Sequence, residues 1–399
     1  MKVFKKKAFS IFASSVLAVS MLAGCGGGQS TQPAESQPEA NKEAQGGEQA
    51  QGELVAKIGV VSFLTGSGSA YGEAITNGLK LAQEEINEAN QGKLKVELAI
   101  EDSAGKKDQA ISAVNKLINN DNVVGIIGPT LSGEMFAAGP VANQNGVPIM
   151  GTSTTAEGIT DIGEYVFRNA LPESIAIPES IKTVVEKHGV KKVALMYASN
   201  DDFSVSGYKT MEKTVKELGL EIVDTQTFAN GDTDYSAQLT SVASKKPDAV
   251  LVSSLYKEAG LVLAKAREMG LNVPFVGGNG FNSPQLVKQA GAAADNSYVA
   301  TPWYPAGSEK VDAFVKKYTE KYGKGPDQFA AQAYDALYII SNAILNAGVA
   351  DDRDALKDSL VELKDFEGVT GKFQFDENRD PIMDVKVLHI EGGEFKRVE

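Results

Sequence analysis

Residues 56–62 read AKIGVVS, residues 71–90 read YGEAITNGLKLAQEEINEAN, and residues 94–101 read LKVELAIE. The first and third segments are short and rich in Val, Ile and Leu, which is typical of buried strands. In the middle segment Ile75, Leu79, Ala82 and Ile86 recur three or four residues apart, the spacing of one buried helix face. A strand, a helix and a strand of these lengths predict a parallel βαβ unit.

The same alternation continues along the chain and then starts again. Further strands are predicted at residues 123–127 and 147–150 and, after the segment RNALP at 168–172, at 192–197, 220–228, 249–253 and 273–276. The sequence therefore predicts an α/β protein with two doubly wound lobes, each with a parallel central sheet. Ligands of such sheets bind beyond the carboxyl ends of the strands, so a cleft between the lobes is the expected site.

The N-terminus has the pattern of an exported, lipid-modified protein. Lysines at positions 2, 5, 6 and 7 precede an apolar stretch at 8–23, as in a signal peptide. The segment LAGC at 22–25 resembles the bacterial lipobox, in which the cysteine receives a diacylglycerol. Cys25 is the only cysteine, so an intrachain disulfide is excluded. We expect a lipoprotein signal peptide at 1–24 and lipidation at Cys25; a core cysteine that follows an ordinary signal peptide is the alternative.

Residues 25–53 consist mainly of Gly, Gln, Ser, Pro, Ala and Glu. Such a composition buries too little apolar surface to offset chain entropy, so we expect a disordered tether behind the acylated cysteine. The protein would then lie outside the cytoplasm, anchored to the cell membrane through Cys25. The net charge of −13 argues against a nucleic-acid partner.

Sequence signals for catalysis, a cofactor or a metal are weak. The glycine-rich loop GSGSAYG at 66–72 lacks the spacing of a dinucleotide site, and it fits a backbone that approaches a solute closely. The two histidines, His188 and His389, stand in no pattern with carboxylates that suggests a metal. We expect a protein that is not an enzyme and that needs no cofactor or metal.

Hydroxyl groups stand out at two turns between strands and helices. The segment GPTLSG at 128–133 follows one predicted strand and opens a helix, so its N–H groups and Ser132 could hold a carboxylate. Ser153, Thr154 and Thr155 follow the next strand. Ser132 alone also fits a simple helix N-cap, but the two turns together indicate a binding site.

Several motifs together resemble those of branched-chain amino-acid (leucine/isoleucine/valine-type) binding proteins of ABC transporters. They are IGVVSFLTG at 58–66, YG at 71–72, Asp102, IGP at 127–129 with Ser132, VPI at 147–149 with Ser153 and Thr155, and AYDA at 333–336. The resemblance covers about residue 55 to the C-terminus. It implies a type I periplasmic-binding fold, with two lobes joined by a three-segment hinge that close over a solute.

The resemblance also implies lobe boundaries and partners. The first lobe would comprise residues 55–171 and 303–369, and the second lobe residues 172–302 and 371–399. The partners would be a small amino-acid-like ligand and the permease and ATPase subunits of the transporter. The sequence leaves open a lipoprotein that senses a ligand for a membrane receptor, and a binder of a small amide or carboxylate.

Site residues follow from the same resemblance, position by position. Those that would hold the ligand's carboxylate and ammonium groups are Ser132, Ser153 and Thr155. Those that would line the side-chain pocket are Tyr71 and Phe329. In the second lobe Phe203 and Leu255 stand where the family often has Tyr, with Tyr256 beside Leu255. Asn279 stands where the family usually has the acid that binds the ammonium group, and Glu258 and Asp102 are the candidate acids nearby.

Overall fold

The computed structural model describes residues 52–398, and strands alternate with helices over its first half. The first five strands are β1 (Leu54–Ser62), β2 (Leu94–Asp102), β3 (Gly125–Ile127), β4 (Ile149–Gly151) and β5 (Val166–Arg168). The helices between them are α1 (Ser69–Ala89), α2 (Lys107–Asn119) and α3 (Ser132–Gln144). The strands are parallel in the order β2-β1-β3-β4-β5, which confirms the first predicted sheet.

A second sheet repeats this arrangement. Its parallel strands are β6 (Lys192–Ala198), β7 (Glu221–Phe228), β8 (Ala249–Ser253), β9 (Phe275–Gly277) and β10 (Ser297–Thr301). The helices around them are α4 (Glu173–His188), α5 (Asp202–Glu217), α6 (Ser236–Ser244), α7 (Tyr256–Glu268) and α8 (Pro284–Ala290). Every residue of β8 is buried, as expected of a strand covered by helices on both faces.

The remaining part of the chain returns to the first sheet before it ends on the second. Its elements are α9 (Glu309–Tyr322), α10 (Gln328–Ala347), α11 (Arg353–Val361), β11 (Phe366–Gly368), β12 (Gly371–Phe375), β13 (Pro381–Ile382), β14 (Lys386–Glu391) and β15 (Glu394–Arg397). α10 packs so closely on α1 that a Cβ on Gly78 would lie 2.2 Å from the carbonyl oxygen of Ala330. β14 and β15 extend the second sheet in antiparallel fashion beside β10.

The predicted boundary at residue 371 needs a correction. Residues 371–382 were expected in the second lobe, but their side chains pack with the first. The rings of Phe167 and Phe375 are 5.3 Å apart, and the Arg168 Nε atom lies 2.5 Å from Asp380 Oδ1. This aromatic contact and this largely buried ion pair hold β12 and β13 against β5. We therefore move the last proposed crossing between the lobes to the segment between Ile382 and Lys386.

Among residues 52–398, no helix combines the length and the apolar character that crossing a bilayer demands. The predicted signal peptide, Cys25 and most of the tether lie outside the described residues.

Candidate ligand-binding site

A small cavity lies between the two lobes, where strands of both sheets end. Six of the eight ligand-binding residues predicted from the sequence line it. These are Tyr71, Ser132, Ser153, Phe203, Asn279 and Phe329, and the other lining residues are Thr130, Leu131, Leu255 and Gly280. The parallel βα units bring these positions together because the segments after β3, β4, β8 and β9 all leave the sheets on the cleft side.

The first-lobe side of the cavity carries hydroxyl groups. Ser153 Oγ donates to the carbonyl oxygen of Thr130 at 2.5 Å, and Ser132 Oγ accepts from the N–H of Ala156 at 3.2 Å. The alternative role of Ser132 as a helix N-cap is wrong, because Leu131 occupies that position and Ser132 is the first residue of α3. Since Ser132 Oγ accepts this bond, its own hydrogen can be donated to an anion.

Thr155 and Tyr256 lie beside the cavity without lining it. Thr155 Oγ1 is 3.5 Å from Glu173 Oε1, and the carbonyl oxygen of Thr155 accepts from the N–H of Glu173 at 3.0 Å. The ring of Tyr256 packs edge-on against Tyr71, with 4.9 Å between the centroids. Thr155 thus faces a carboxyl group, while Tyr256 supports an aromatic wall.

That wall is buried and apolar. The rings of Tyr71 and Phe329 are 4.7 Å apart at an angle of 60°, close to an edge-to-face arrangement. Phe203 and Leu255 close the wall from the second lobe, and both side chains are buried. Four large side chains thus form an apolar surface against which an aliphatic group could pack.

Tyr71 also joins the two lobes by hydrogen bonds. Its Oη donates to the carbonyl oxygen of Gly280 at 2.9 Å and accepts from the N–H of Tyr256 at 2.8 Å. In return, Tyr256 Oη donates to the carbonyl oxygen of Ser67 at 2.8 Å. Burial raises the pKa of Tyr71 well above its ordinary value, so the phenol remains a donor at physiological pH.

The volume of the cavity is about 20 Å³, which is room for about one water molecule. The hydrogen bonds of Tyr71 and the packing of Phe203 and Leu255 hold its walls together. Entry of any larger molecule therefore requires the walls contributed by the two lobes to move apart.

The acids suggested by the sequence do not lie in the cavity. Asp102 accepts hydrogen bonds from the N–H groups of Leu64 and Ala104 at 2.9 and 2.8 Å, and Glu258 accepts from the N–H of Gly231 at 3.1 Å. Neither residue lines the cavity. Their carboxylates hold loops of the protein instead.

Glu173 is the carboxyl group that the sequence did not single out. Its Oε1 accepts from the N–H of Asn279 at 2.6 Å, and burial raises its pKa to about 7. The available signal was an acid directly after RNALP at a predicted helix start. Acids are common in the first turn of helices for reasons of helix stability, so this signal was ambiguous.

Within residues 52–398, no group of three or more His, Cys, Asp or Glu side chains is arranged to hold a metal ion. The arrangement instead offers hydroxyl donors, one buried carboxyl group and an apolar wall in one cleft.

Comparisons with known proteins agree with this architecture. A family model described as periplasmic binding protein matches residues 55–394. The Leu/Ile/Val-binding protein BraC3 of Rhizobium johnstonii is 27% identical over 332 residues, which cover 81% of this chain and 88% of that protein. The leucine-, isoleucine-, valine-, threonine-, and alanine-binding protein of Pseudomonas aeruginosa is 27% identical over 330 residues, which cover 81% of this chain and 86% of that protein.

Two solved structures extend the comparison to three dimensions. The leucine binding protein LivK from Thermotoga maritima has a TM-score of 0.82 and 29% identity, covering 86% of this chain and 98% of its own. The branched-chain amino acid transporter substrate binding protein LivJ from Streptococcus pneumoniae, in complex with isoleucine, has a TM-score of 0.80 and 35% identity, covering 86% of this chain and 99% of its own. These likenesses confirm the predicted type I fold.

Proposed function

This chain belongs to the periplasmic binding protein family, and we propose that it is the substrate-binding protein of an ABC transporter for a branched-chain amino acid or a close relative. The names of the relatives and of the solved structures support this proposal. The observation that carries it is the cavity itself, where hydroxyl groups of the first lobe lie opposite aromatic and aliphatic side chains.

The first lobe would bind the polar head of the ligand. Ser132 can donate its hydroxyl hydrogen to a carboxylate, and the first turn of α3 adds N–H groups at the positive end of the helix dipole. Ser153, on the neighbouring turn, faces the same cavity. A carboxylate in this place would accept from the turn at Ser132, and from Ser153 as well once that hydroxyl exchanges its bond to the carbonyl oxygen of Thr130 for the ligand.

The wall formed by Tyr71, Phe203, Leu255 and Phe329 would take an aliphatic side chain. Burying a side chain of the size of leucine contributes about 1.5 to 3 kcal/mol. Because this wall comes from both lobes, the contacts would form only when the cleft is closed. A ligand that gains contacts only in the closed state shifts the protein toward that state.

Delivery and location complete the proposal. The closed form would hand the ligand to permease and ATPase subunits, and a lipid on Cys25 would keep the protein on the outer face of the cell membrane. Cys25, the signal peptide and nearly all of the tether lie outside the described residues, so this step rests on the sequence pattern. Cys25→Ser should leave the protein either unprocessed or released from the membrane fraction; a processed variant that remains in that fraction would contradict the anchor.

A ligand screen tests the central claim. Thermal unfolding should show stabilisation by leucine, isoleucine or valine, since a ligand at 100 times its Kd adds about 2.7 kcal/mol to the free energy of unfolding. Leucinamide, which lacks the carboxylate, is the matched control and should stabilise much less. Titration calorimetry then gives the affinities. Stabilisation by other small molecules, with none from these three amino acids, would refute the branched-chain assignment.

A further inference from the structure

Glu173 lies at the boundary between the hydroxyl turns and the second lobe. It is the first residue of α4, and only 1% of it is exposed. Its Oε1 contacts the backbone of Asn279 at 2.6 Å and the hydroxyl of Thr155 at 3.5 Å. Both are positions to which the family resemblance assigns the binding of the ligand's head group.

The other carboxyl oxygen of Glu173, Oε2, has no hydrogen-bond partner among residues 52–398. Two glycines make room for it: a Cβ would lie 2.4 Å from Oε2 on Gly278 and 3.0 Å from it on Gly207. The hydroxyl of Ser253, near Gly207, is also buried without a partner in this part of the chain. The surroundings therefore fit a carboxyl group but leave its hydrogen-bonding capacity partly unused.

This environment is unfavourable for a lone carboxylate. Burial raises the pKa of Glu173 to about 7, although the Asn279 N–H and the Thr155 hydroxyl act in the opposite direction. No charged side chain is among the causes of the shift. A buried carboxylate is stabilised strongly by a cation that reaches it, because little water competes there.

Asn279 is less suited to accept a hydrogen bond from an ammonium group. Its side-chain oxygen already accepts from Gln328 Nε2, and Gln328 Oε1 accepts in turn from Thr301 Oγ1 at 2.7 Å. This chain of bonds ties the turn after β9 to the start of α10. The backbone N–H of Asn279 meanwhile holds Glu173 in place.

We propose that Glu173 binds the positively charged amino group of the ligand, in the role that an acid at position 279 would otherwise fill. The inference rests on the proposed function and narrows the ligand to molecules with a free amino group. The ammonium group would donate to both Glu173 Oε1 and Thr155 Oγ1, which are 3.5 Å apart, from the side of the cleft, while the carboxylate of the same ligand reaches the turn at Ser132.

Titration calorimetry with a ligand pair tests this role. Leucine and 4-methylpentanoate differ only in the amino group, so wild type should bind leucine more tightly. Glu173→Gln should weaken leucine binding by roughly tenfold to hundredfold, as expected for loss of a hydrogen bond to a charged group. Binding of 4-methylpentanoate should stay within about threefold. Unchanged leucine affinity, or an equal loss for both ligands, would overturn the proposal.

Glu258→Gln is the matched control, because it removes another buried carboxylate of the second lobe that bonds to a loop outside the cavity. It should leave leucine affinity within about twofold of wild type. If it instead lowers leucine affinity as much as Glu173→Gln does, the effect is not specific to Glu173 and the proposal fails. A wild-type protein that binds no amino acid refutes the proposed function instead.

A measurement on wild type covers the case in which Glu173→Gln does not fold. At pH 6, calorimetry in buffers of different ionisation enthalpy should detect proton release on leucine binding, because the carboxyl group must ionise to receive the ammonium. 4-Methylpentanoate should cause little release. Glu134, whose pKa burial also raises to about 7, lies beside Ser132 at the opposite end and would respond to both ligands. Equal release by both ligands would overturn the role of Glu173.

Discussion

Two sides of the cavity are built in different ways. We call the side with the hydroxyl groups of Ser132 and Ser153 the first wall, and the side formed by the second lobe the second wall. On the first wall, Ser132 and Ser153 come soon after β3 and β4, so each hydroxyl is placed by the strand that precedes it. On the second wall, Phe203, Leu255 and Asn279 provide no carboxylate, and the carboxyl group that contacts this wall through the N–H of Asn279 belongs to Glu173. Glu173 and Asn279 are 106 residues apart in the chain. The first wall is thus a product of local sequence, and the second wall depends on tertiary packing.

This difference suggests that the two walls recognise different parts of the ligand. The first wall would recognise the carboxylate that every α-amino acid shares, through hydroxyls and a helix terminus. The second wall would decide which amino-group chemistry and side chain are accepted. Changes on the first wall should therefore affect all ligands alike, whereas changes on the second should change the preference among ligands.

The largest effect is expected from removing two hydroxyls of the first lobe that would hold the ligand head, Ser132 at the carboxylate and Thr155 at the ammonium group. In the double variant Ser132→Ala and Thr155→Ala, two groups that orient the ligand head are lost. Each single loss should weaken leucine binding by about 1 to 3 kcal/mol, and the double variant should lose at least as much as the more affected single variant; the two losses are not expected to add fully, because the N–H of Ala156, next to Thr155, donates to Ser132 Oγ. Titration calorimetry measures it. Ser341→Ala, which removes a buried hydroxyl of α10 outside the cavity, is the control. Full affinity in the double variant would place the site elsewhere.

The second wall should make binding depend on pH. Burial raises the pKa of Glu173 to about 7 in the ligand-free protein, so this carboxyl group is protonated below that pH. An ammonium group needs the ionised form. Leucine affinity should therefore fall as the pH drops below 7, approaching tenfold per unit and roughly hundredfold at pH 5.

Glu173→Gln should flatten this profile, which calorimetry between pH 5 and 8 can follow. Glu134, with a pKa also raised by burial to about 7, is another buried acid near the cavity, and burial also raises the pKa of Asp201, close to Phe203. Any dependence that persists in Glu173→Gln and is shared by 4-methylpentanoate would belong to such a group and not to Glu173. A wild-type profile that is flat over this range would contradict an ionised Glu173 in the complex.

The sequence was sufficient for the fold and for much of the cavity. The spacing of apolar residues predicted the helices, as in residues 71–90, and the alternation of helices with short apolar segments predicted parallel strands. The binding-site positions of Ser132 and Ser153 could be predicted because each comes soon after a strand. The boundary at residue 371 was wrong because Phe375 and Asp380 pack against β5 through contacts with residues about 200 positions earlier. Glu173 was missed for a similar reason: the glycines and the Asn279 N–H that surround it come together only in the folded chain.

Tyr71 connects the two walls, and its hydroxyl can be removed alone. Tyr71→Phe keeps the ring against Phe329 but loses the bonds to Gly280 and Tyr256. The closed form should become less favourable, and leucine affinity should fall by about 1 to 2 kcal/mol. Small-angle scattering should show a larger radius of gyration without ligand. Tyr338→Phe, a change on α10 outside the cavity, should have neither effect. An unchanged radius and affinity would show that this hydroxyl does not hold the lobes together.

The smallest effect is expected from restoring the acid at position 279. In Asn279→Asp, the new carboxylate can still accept from Gln328 Nε2, but it stands beside Glu173, which accepts from the N–H of the same residue at 2.6 Å. Because Glu173 contacts the backbone N–H of position 279, the two carboxyl groups would be close enough for ionisation of one to raise the pKa of the other, which favours one negative charge for the pair near neutral pH. Leucine affinity should therefore change by less than about 1 kcal/mol.

In the Glu173→Gln background the same substitution should recover most of the lost affinity, since it then supplies the single carboxylate. Titration calorimetry with leucine on wild type, Glu173→Gln, Asn279→Asp and the double variant measures the effect of the substitution at position 279 in both backgrounds. If Asn279→Asp strengthened leucine binding equally in both backgrounds, the two positions would act independently and Glu173 would not stand in for the missing acid.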